Sequence, residues 1–323
     1  MGQVCPACRS SLASGSESWT CFGCGRAFPI VAGLVDLRLH PDRYLDLAAD
    51  RAKAEALARL DRGGKAADLA AAYYDMTADV DARRRARFIA HIEGAVRRGE
   101  ALAALLPRTG RILEVGCGTG GLLVAAGRAG RAIEGVDIAL RWLVVARRRL
   151  EDHGLDVGLF GACAERLPWT DGTFDAVVAD SVLEHLDDPE AALKEWRRVV
   201  RPGGRLVVWS PNRFSVATDP HVGLWGVGWL PRRVAARYVR MRRGCDWKVR
   251  PLSAASARRL ALGAGWRGVE VEPVRVPIGW SSGRRGRGAI RIYEAMRGRP
   301  IGRAILRRFG PLWQLVATRE AES

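Results

Sequence analysis

RILEVGCGTG, residues 111–120, sets an apolar run directly against three alternating glycines, Gly116, Gly118 and Gly120. Such a run predicts a buried strand, and the glycines let the backbone turn tightly and approach a ligand at the N-terminus of the helix that follows. That helix is GLLVAAGRAG (121–130), closed by glycine. AIEGVDI (132–138) predicts a second strand and LRWLVVARRRLEDHG (140–154) a second helix. FDAVVADSVL (174–183) is a further strand, PEAALKEWRRVV (189–200) a helix and GGRLVVWSPN (203–212) a strand. Strands alternating with helices at this interval argue for βαβ units and an α/β, doubly wound, mostly parallel sheet.

Upstream, residues 44–106 are rich in Ala, Leu, Arg and Glu at helical spacing, with Gly63-Gly64 as an interruption and Pro107 as a stop, which predicts two or three helices. Residues 1–38 read as short strands and turns around cysteines, ending in FPIVAGLVDL, before a break at Pro41. Downstream of Asn212 the rhythm gives way to a Trp- and Arg-rich insertion at about 213–250. A helix over Ser253–Leu262, a strand in VEVEPVRV, a basic helix and a last strand in GPLWQLVATRE complete the chain. The expected partition is 1–38, 39–106 as a helical linker, and 107–323 as the main domain carrying the insertion.

A hydrophobic content of 48% with 27% charged residues is that of a folded soluble protein, and no run reaches the length of a membrane span. MGQVCPACRS has neither the basic start nor the apolar stretch of a secretion signal, so the expected location is cytoplasmic. The net charge of +17 is concentrated, because residues 231–310 hold 21 Lys and Arg against 4 Asp and Glu. Such a field attracts phosphates or an anionic lipid surface, although an Arg-rich composition can also leave a solvated face with no partner.

Asp137 closes the second strand 23 residues after Glu114. An acidic group there accepts from two ribose hydroxyls, so the glycine turn and Asp137 together specify a nucleoside-type ligand. A nicotinamide dinucleotide is the competing, disfavoured ligand.

Five pieces in order, LEVGCGTG, GVDI, AERLPWTDGTFDAV, SVLEHLDDP and RVVRPGGRLVV, resemble the class I S-adenosylmethionine-dependent methyltransferases, and in particular the subfamily that includes quinone-biosynthesis methyltransferases. The resemblance runs from about Leu106 to Asn212 and implies a Rossmann-like fold with S-adenosylmethionine as donor. It implies that Gly116 and Gly118 line the methionine moiety, Asp137 holds the ribose and Cys163, Ala164 and Glu165 meet the adenine, with Glu114, Cys117, Gly120, Ile138 and Ser181 completing the site. Cys163 departs from the family, which has Asp there to accept from the adenine amino group. A thiol sulfur is a poor acceptor, so that contact is weakened or lost.

Cys5, Cys8, Cys21 and Cys24 form C-x2-C-x12-C-x2-C, two knuckles that let four thiolates converge on one structural Zn²⁺ with no open position. A redox pair is the competing reading. This zinc ribbon is similar to the small zinc proteins that activate RNA and protein methyltransferases, and more loosely to the ribbon on some ribosomal-RNA guanine methyltransferases.

After the strand FDAVVAD comes Ser181, not the Asn/Asp-Pro-Pro-Tyr run of enzymes that methylate exocyclic amines, and no poised Pro-Cys pair points to pyrimidine carbon chemistry. An oxygen, a carbon acid or a ring nitrogen remains as acceptor atom. The base is sought among His185, Asp219 and His221, with His221 and Asp219, in the insertion, as the candidate catalytic pair. Tyr73 and Tyr74 either close over the donor or pack between helices. Trp225 and Trp229 beside Arg232 and Arg233, and Ile301, Ile305 and Phe309 beside Arg303, Arg307 and Arg308, suit either a lipid-like acceptor and an anionic membrane surface or the inner face of a lid. The favoured expectation is methylation of a small-molecule or lipid-like acceptor. The alternatives are an RNA methyltransferase, drawing on the ribbon and the basic region, and a scaffold protein without turnover.

Overall fold

The computed structural model describes every residue except 1, 78, 79, 81, 278, 279, 281–283, 322 and 323. Four short strands open the chain: β1 (Leu12–Ser14), β2 (Ser18–Cys21), β3 (Ala27–Val31) and β4 (Leu34–Val35) pair antiparallel in that order. Helices α1 (Leu47–Leu60), α2 (Ala66–Asp75), α3 (Ala82–Glu93) and α4 (Ala95–Ala103) follow. Four helices stand where two or three are expected, because Gly94 separates α3 from α4 after a single residue.

The α/β part runs β5 (Arg111–Val115), α5 (Gly121–Arg128), β6 (Ala132–Asp137), α6 (Leu140–Asp152), β7 (Leu159–Gly161), β8 (Phe174–Asp180), α7 (Pro189–Val199) and β9 (Val200–Pro211). Next come α8 (Arg232–Arg243), α9 (Ala254–Gly263), β10 (Arg267–Pro273), α10 (Arg284–Arg297), α11 (Pro300–Phe309) and β11 (Leu312–Thr318). The strands hydrogen-bond in the order β10-β11-β9-β8-β5-β6-β7, parallel along β5, β6 and β7 and antiparallel along β9, β11 and β10. This is the doubly wound, mostly parallel architecture that the glycine turn predicts, with the order reversing between β5 and β8. Strand β7 is absent from the sequence reading because three residues give no measurable periodicity. Strands β5 and β8 are near-continuously buried, as parallel strands covered on both faces are.

The chain falls into two compact units, Met1–Val178 with Arg198–Arg201, and Ala179–Arg197 with Pro202–Ser323. The cysteine segment, α1–α4 and β5–β7 share the first unit. Within it, the cysteine segment is held by backbone hydrogen bonds from Val4 N to Pro168 O (2.9 Å) and Leu37 N to Gly161 O (2.7 Å), and by Arg9 Nη1 donating to Leu167 O (2.8 Å). A parallel bridge between Asp36 and Gly161 covers what is otherwise the open edge of β7. At the other end of the unit, a Cβ on Gly121 would lie 2.5 Å from the Ala95 carbonyl carbon, so only glycine admits α4 this close to the start of α5.

A buried ionic network ties this unit together. Asp50 on α1 accepts from Arg38 Nη1 (2.6 Å), from Leu140 N (2.9 Å) and from Arg141 Nη1. Arg38 also meets both carboxylate oxygens of Asp36, and Arg141 meets Asp42 (2.7 Å). Burial would push the Asp36 carboxyl up, but hydrogen bonds and charge from Arg38 and Arg51 outweigh it and hold the group below its ordinary value. Its stabilisation is therefore present above about pH 4 and is lost as pH falls through the depressed folded value.

Among the described residues no helix is long and apolar enough to cross a membrane. The α11 stripe is not a core face: Ile301 and Ile305 are exposed, and the buried residue of that helix is Leu306. Tyr73 and Tyr74 pack between helices, Tyr73 against Trp142 at 4.3 Å between ring centres and Tyr74 stacked on Phe88 at 5.8 Å.

Truncating Asp50 leaves two buried guanidinium groups without their shared carboxylate. Asp50→Ala is expected to lower the unfolding free energy by about 3–5 kcal/mol. Glu190→Ala, which breaks only the exposed pair with Lys194, is expected to leave the unfolding free energy nearly unchanged. Urea titration of both variants measures the difference, and equal small losses would remove the network from its structural role.

Candidate functional site

The loop between β5 and α5 builds a cradle in the first unit. Gly118 adopts φ +50° and a Cβ there would meet nothing within 4 Å, so the backbone faces open space that a ligand can enter. Gly118 N donates to Asp137 Oδ2 (2.8 Å) and Ala139 N to Asp137 Oδ1 (2.8 Å), which fixes the carboxylate at the end of β6 while each oxygen keeps a further lone pair. Burial raises the Asp137 carboxyl, against those two N–H donors. Gly116 N and Cys117 N both donate to Val136 O, pinning the glycine turn to β6. Gly120, at φ +75°, caps α5, and Glu114 is buried beneath the turn. Burial pushes the Cys117 thiol well above its ordinary value, so it stays protonated and inert.

Ile138 contributes its carbonyl, which accepts from Arg38 Nη1 (2.7 Å). The ionic network thus reaches the residue next to Asp137, a link that motif reading does not contain. Cys163 is fully buried, and its sulfur accepts from Leu39 N (3.4 Å) and faces His40 O (3.8 Å). The thiol is directed at the segment leaving the cysteine strands. Ala164 is buried beside it, and Glu165 lies 3.8 Å from His40.

Ser181 belongs to the second unit, where it sits at φ +59°, a left-handed conformation costly for a residue with a Cβ. Its N donates to Trp209 O (2.9 Å) and its hydroxyl to Asp180 (3.0 Å).

The second unit also gathers an acid–base cluster. Asp219 accepts from the N–H groups of His221 (2.8 Å) and Val222 (3.0 Å), and its Oδ1 lies 3.5 Å from His221 Nδ1. On the other side of the ring, His221 Nε2 is 3.8 Å from Glu184 Oε1, and Ser210 Oγ donates to Glu184 Oε2 (3.0 Å). The His185 ring meets His221 edge-on at 5.0 Å. The structure therefore brings His221, Asp219 and His185 together and adds Glu184 and Ser210, which are not among the sequence candidates. The acidic residue set between Leu183 and His185 is the signal for Glu184; nothing in sequence marks Ser210. Burial opposes ionisation of Asp219, yet its contacts with His221 and two N–H groups hold it below its ordinary value. Asp219 lines a cavity with Asn212, Ser215, Thr218, Val227 and Leu312. The insertion has its own core of Val222, Leu224, Val227, Ala235, Val239 and Trp247.

The four cysteines place their sulfurs within 4.8 Å of one another, with Cys8–Cys21 at 3.4 Å and Cys5–Cys24 at 3.8 Å. Tetrahedral thiolates at a zinc–sulfur distance of about 2.3 Å stand about 3.8 Å apart, so the donor set fits that ion.

Residues 113–208 match a family model described as "Methyltransferase domain". The chain is similar to the ubiquinone biosynthesis O-methyltransferase of Cereibacter sphaeroides strain ATCC 17025, 38% identical over 137 residues, covering 41% of this chain and 54% of that protein. It is also similar to the demethylmenaquinone methyltransferase of Thermus thermophilus, 46% identical over 100 residues, covering 30% of this chain and 46% of the relative. The chain thus spans about half the length of the curated relatives it matches. Among solved structures, an S-adenosylmethionine-dependent methyltransferase of Thermotoga maritima, "possible histamine N-methyltransferase", superposes with a TM-score of 0.47 at 22% identity over 72% of this chain and 92% of that one.

Glu184 is pushed up to about 7 by burial, against the opposing charge of His221 and the Ser210 hydroxyl. A carboxyl raised on folding keeps a proton that the unfolded chain has already released, so stability falls as pH climbs from the ordinary value towards the folded one. Glu184→Gln removes that dependence. Unfolding measured at pH 5 and pH 8 is expected to lose about 3 kcal/mol less in the variant than in the parent chain; an unchanged difference would mean that Glu184 is ionised throughout.

Proposed function

We propose that this protein transfers a methyl group from S-adenosylmethionine to an oxygen or carbon acid of a small, apolar, quinol-like acceptor. The observation that carries the reading is the cradle of Gly116, Gly118 and Asp137, in which an open positive-φ glycine sits beside a fixed carboxylate. The match of residues 113–208 and the quinone methyltransferases among the relatives support the donor and the acceptor class. Bound there, S-adenosylmethionine supplies an electrophilic sulfonium methyl. Asp137 would accept from the ribose hydroxyls, Gly116 and Gly118 would admit the methionine end, and Ala164 and Glu165 would border the adenine, with Cys163 committed to Leu39 and His40.

His221 serves as the base. With the donor bound, the imidazole would take the proton of the acceptor hydroxyl as methyl transfer proceeds. Asp219 orients the ring and stabilises the imidazolium, while Glu184, on the opposite nitrogen, carries a carboxyl shifted the other way. Two carboxyls displaced in opposite directions around one histidine suit a group that must gain and release a proton.

Methyl transfer from labelled S-adenosylmethionine to a catechol or quinol tests this directly. Asp137→Ala is expected to abolish donor binding and turnover together. His221→Gln is expected to keep donor binding while lowering kcat by about 100-fold or more. Full turnover in the histidine variant would place the base elsewhere, and label appearing only in RNA would overturn the acceptor class.

We infer further that the four cysteines hold a structural Zn²⁺. The sulfur spacing supports this, as does the burial of Cys5 and Cys21, since closely packed thiols need a cation to stabilise their ionised form. Titration of thiols with a mercurial is expected to release one zinc per chain, and Cys21→Ser to lose the metal and the ordered packing around it. Four readily reactive thiols with no zinc released would contradict the assignment.

A further inference from the structure

The second unit carries an exposed apolar ridge that the methyl-transfer reading does not use. Ile301, Ile305 and Phe309 lie on one stripe of α11, four residues apart, and Ile301 is 78% exposed. One turn on, the Phe309 ring stacks on Trp229 at 5.5 Å, with the planes 13° apart. Val216, 61% exposed, donates its N–H to Phe309 O (3.1 Å), and its own carbonyl accepts from Trp225 Nε1 (3.1 Å). Trp225 is 65% exposed. Helix α11 and the 213–229 loop are thus stitched into one continuous surface. Both indole N–H groups are satisfied internally, Trp229 by Ser215 O (3.0 Å), so the exposed ring area is apolar.

Cations border the ridge throughout. Arg303, Arg307 and Arg308 are exposed on α11, Arg308 lies over the Phe309 ring at 5.4 Å and Arg213 over Phe214 at 5.2 Å. The surrounding segment 231–310 holds 21 basic residues against 4 acidic ones. An exposed stripe of isoleucine and tryptophan flanked by arginine matches the boundary between acyl chains and anionic headgroups. RNA is the less fitting polyanion: aliphatic Ile301, Ile305 and Val216 offer nothing to a base, and one face of Trp229 is already covered by Phe309.

We propose that this ridge docks the protein on an anionic lipid bilayer, with Ile301, Ile305, Trp225 and Val216 at the acyl boundary and the arginines on the phosphates. The contact is independent of turnover, so its failure and the failure of the methyl-transfer reading are separable.

Flotation of the full chain with phosphatidylcholine vesicles, with and without phosphatidylglycerol, tests the proposal. The chain is expected to float with the anionic vesicles alone. The pair Ile301→Ser/Ile305→Ser and the pair Arg303→Gln/Arg308→Gln are each expected to cut the partition about tenfold with an unchanged thermal midpoint. Brominated lipid is expected to quench the parent chain more than Trp225→Phe. Equal binding to neutral vesicles, or loss through the arginine pair alone with competition by RNA, would overturn it. So would absence of vesicle binding together with self-association that the isoleucine pair abolishes.

Discussion

Asp50 holds the first unit in register around its glycine cradle. One buried carboxylate accepts from Arg38, Arg141 and the backbone of Leu140, and so joins the segment leaving the cysteine strands, helix α1 and the start of α6. Desolvating several charges is costly, and the arrangement is stable only because each is paired and hydrogen-bonded. The same Arg38 that meets Asp50 also binds the Ile138 carbonyl, next to the carboxylate that faces the glycine turn. The cysteine segment is therefore part of what fixes the cradle. Cys163 fits this pattern, since its sulfur meets the backbone of Leu39 and His40 where the family resemblance expects an acidic acceptor for adenine.

The central strand and its glycine turn are legible in sequence because their constraints are local. An apolar run of strand length, glycines where the backbone takes positive φ, and an acidic residue at the end of the next strand each leave a mark on neighbouring positions. The ionic network leaves none: Asp36, Arg38, Asp50 and Arg141 look like ordinary surface charges among many, and only tertiary packing buries them. The same limit explains Glu184 and Ser210, which come together from positions 26 apart through pairing that no local pattern records. The break between α3 and α4 rests on a single glycine, and β7 is too short for alternation to show.

In the second unit the sequence marks His221 and Asp219 by type, while the structure supplies the reason to consider them together. The Asx-like turn at Asp219 presents the His221 ring between two carboxyls whose environments differ, one held ionised by neighbouring N–H donors and one raised by burial. Elsewhere in that unit the high arginine content is divided between structural and solvent-facing work. Arg243 binds the Val222 and Gly223 carbonyls and Arg232 lies over Trp247, whereas Arg303 and Arg308 stand beside exposed isoleucine. Net charge alone does not separate these uses; burial and partner atoms do.

The identity of the ligand in the cradle between β5 and β6 decides the chemistry. Calorimetric titration of the purified chain with S-adenosylhomocysteine, and separately with NAD, measures this without any assumption about the acceptor. One saturable site for S-adenosylhomocysteine and no heat from NAD is the predicted result. Saturable binding of NAD, or no binding of either nucleoside, would contradict it.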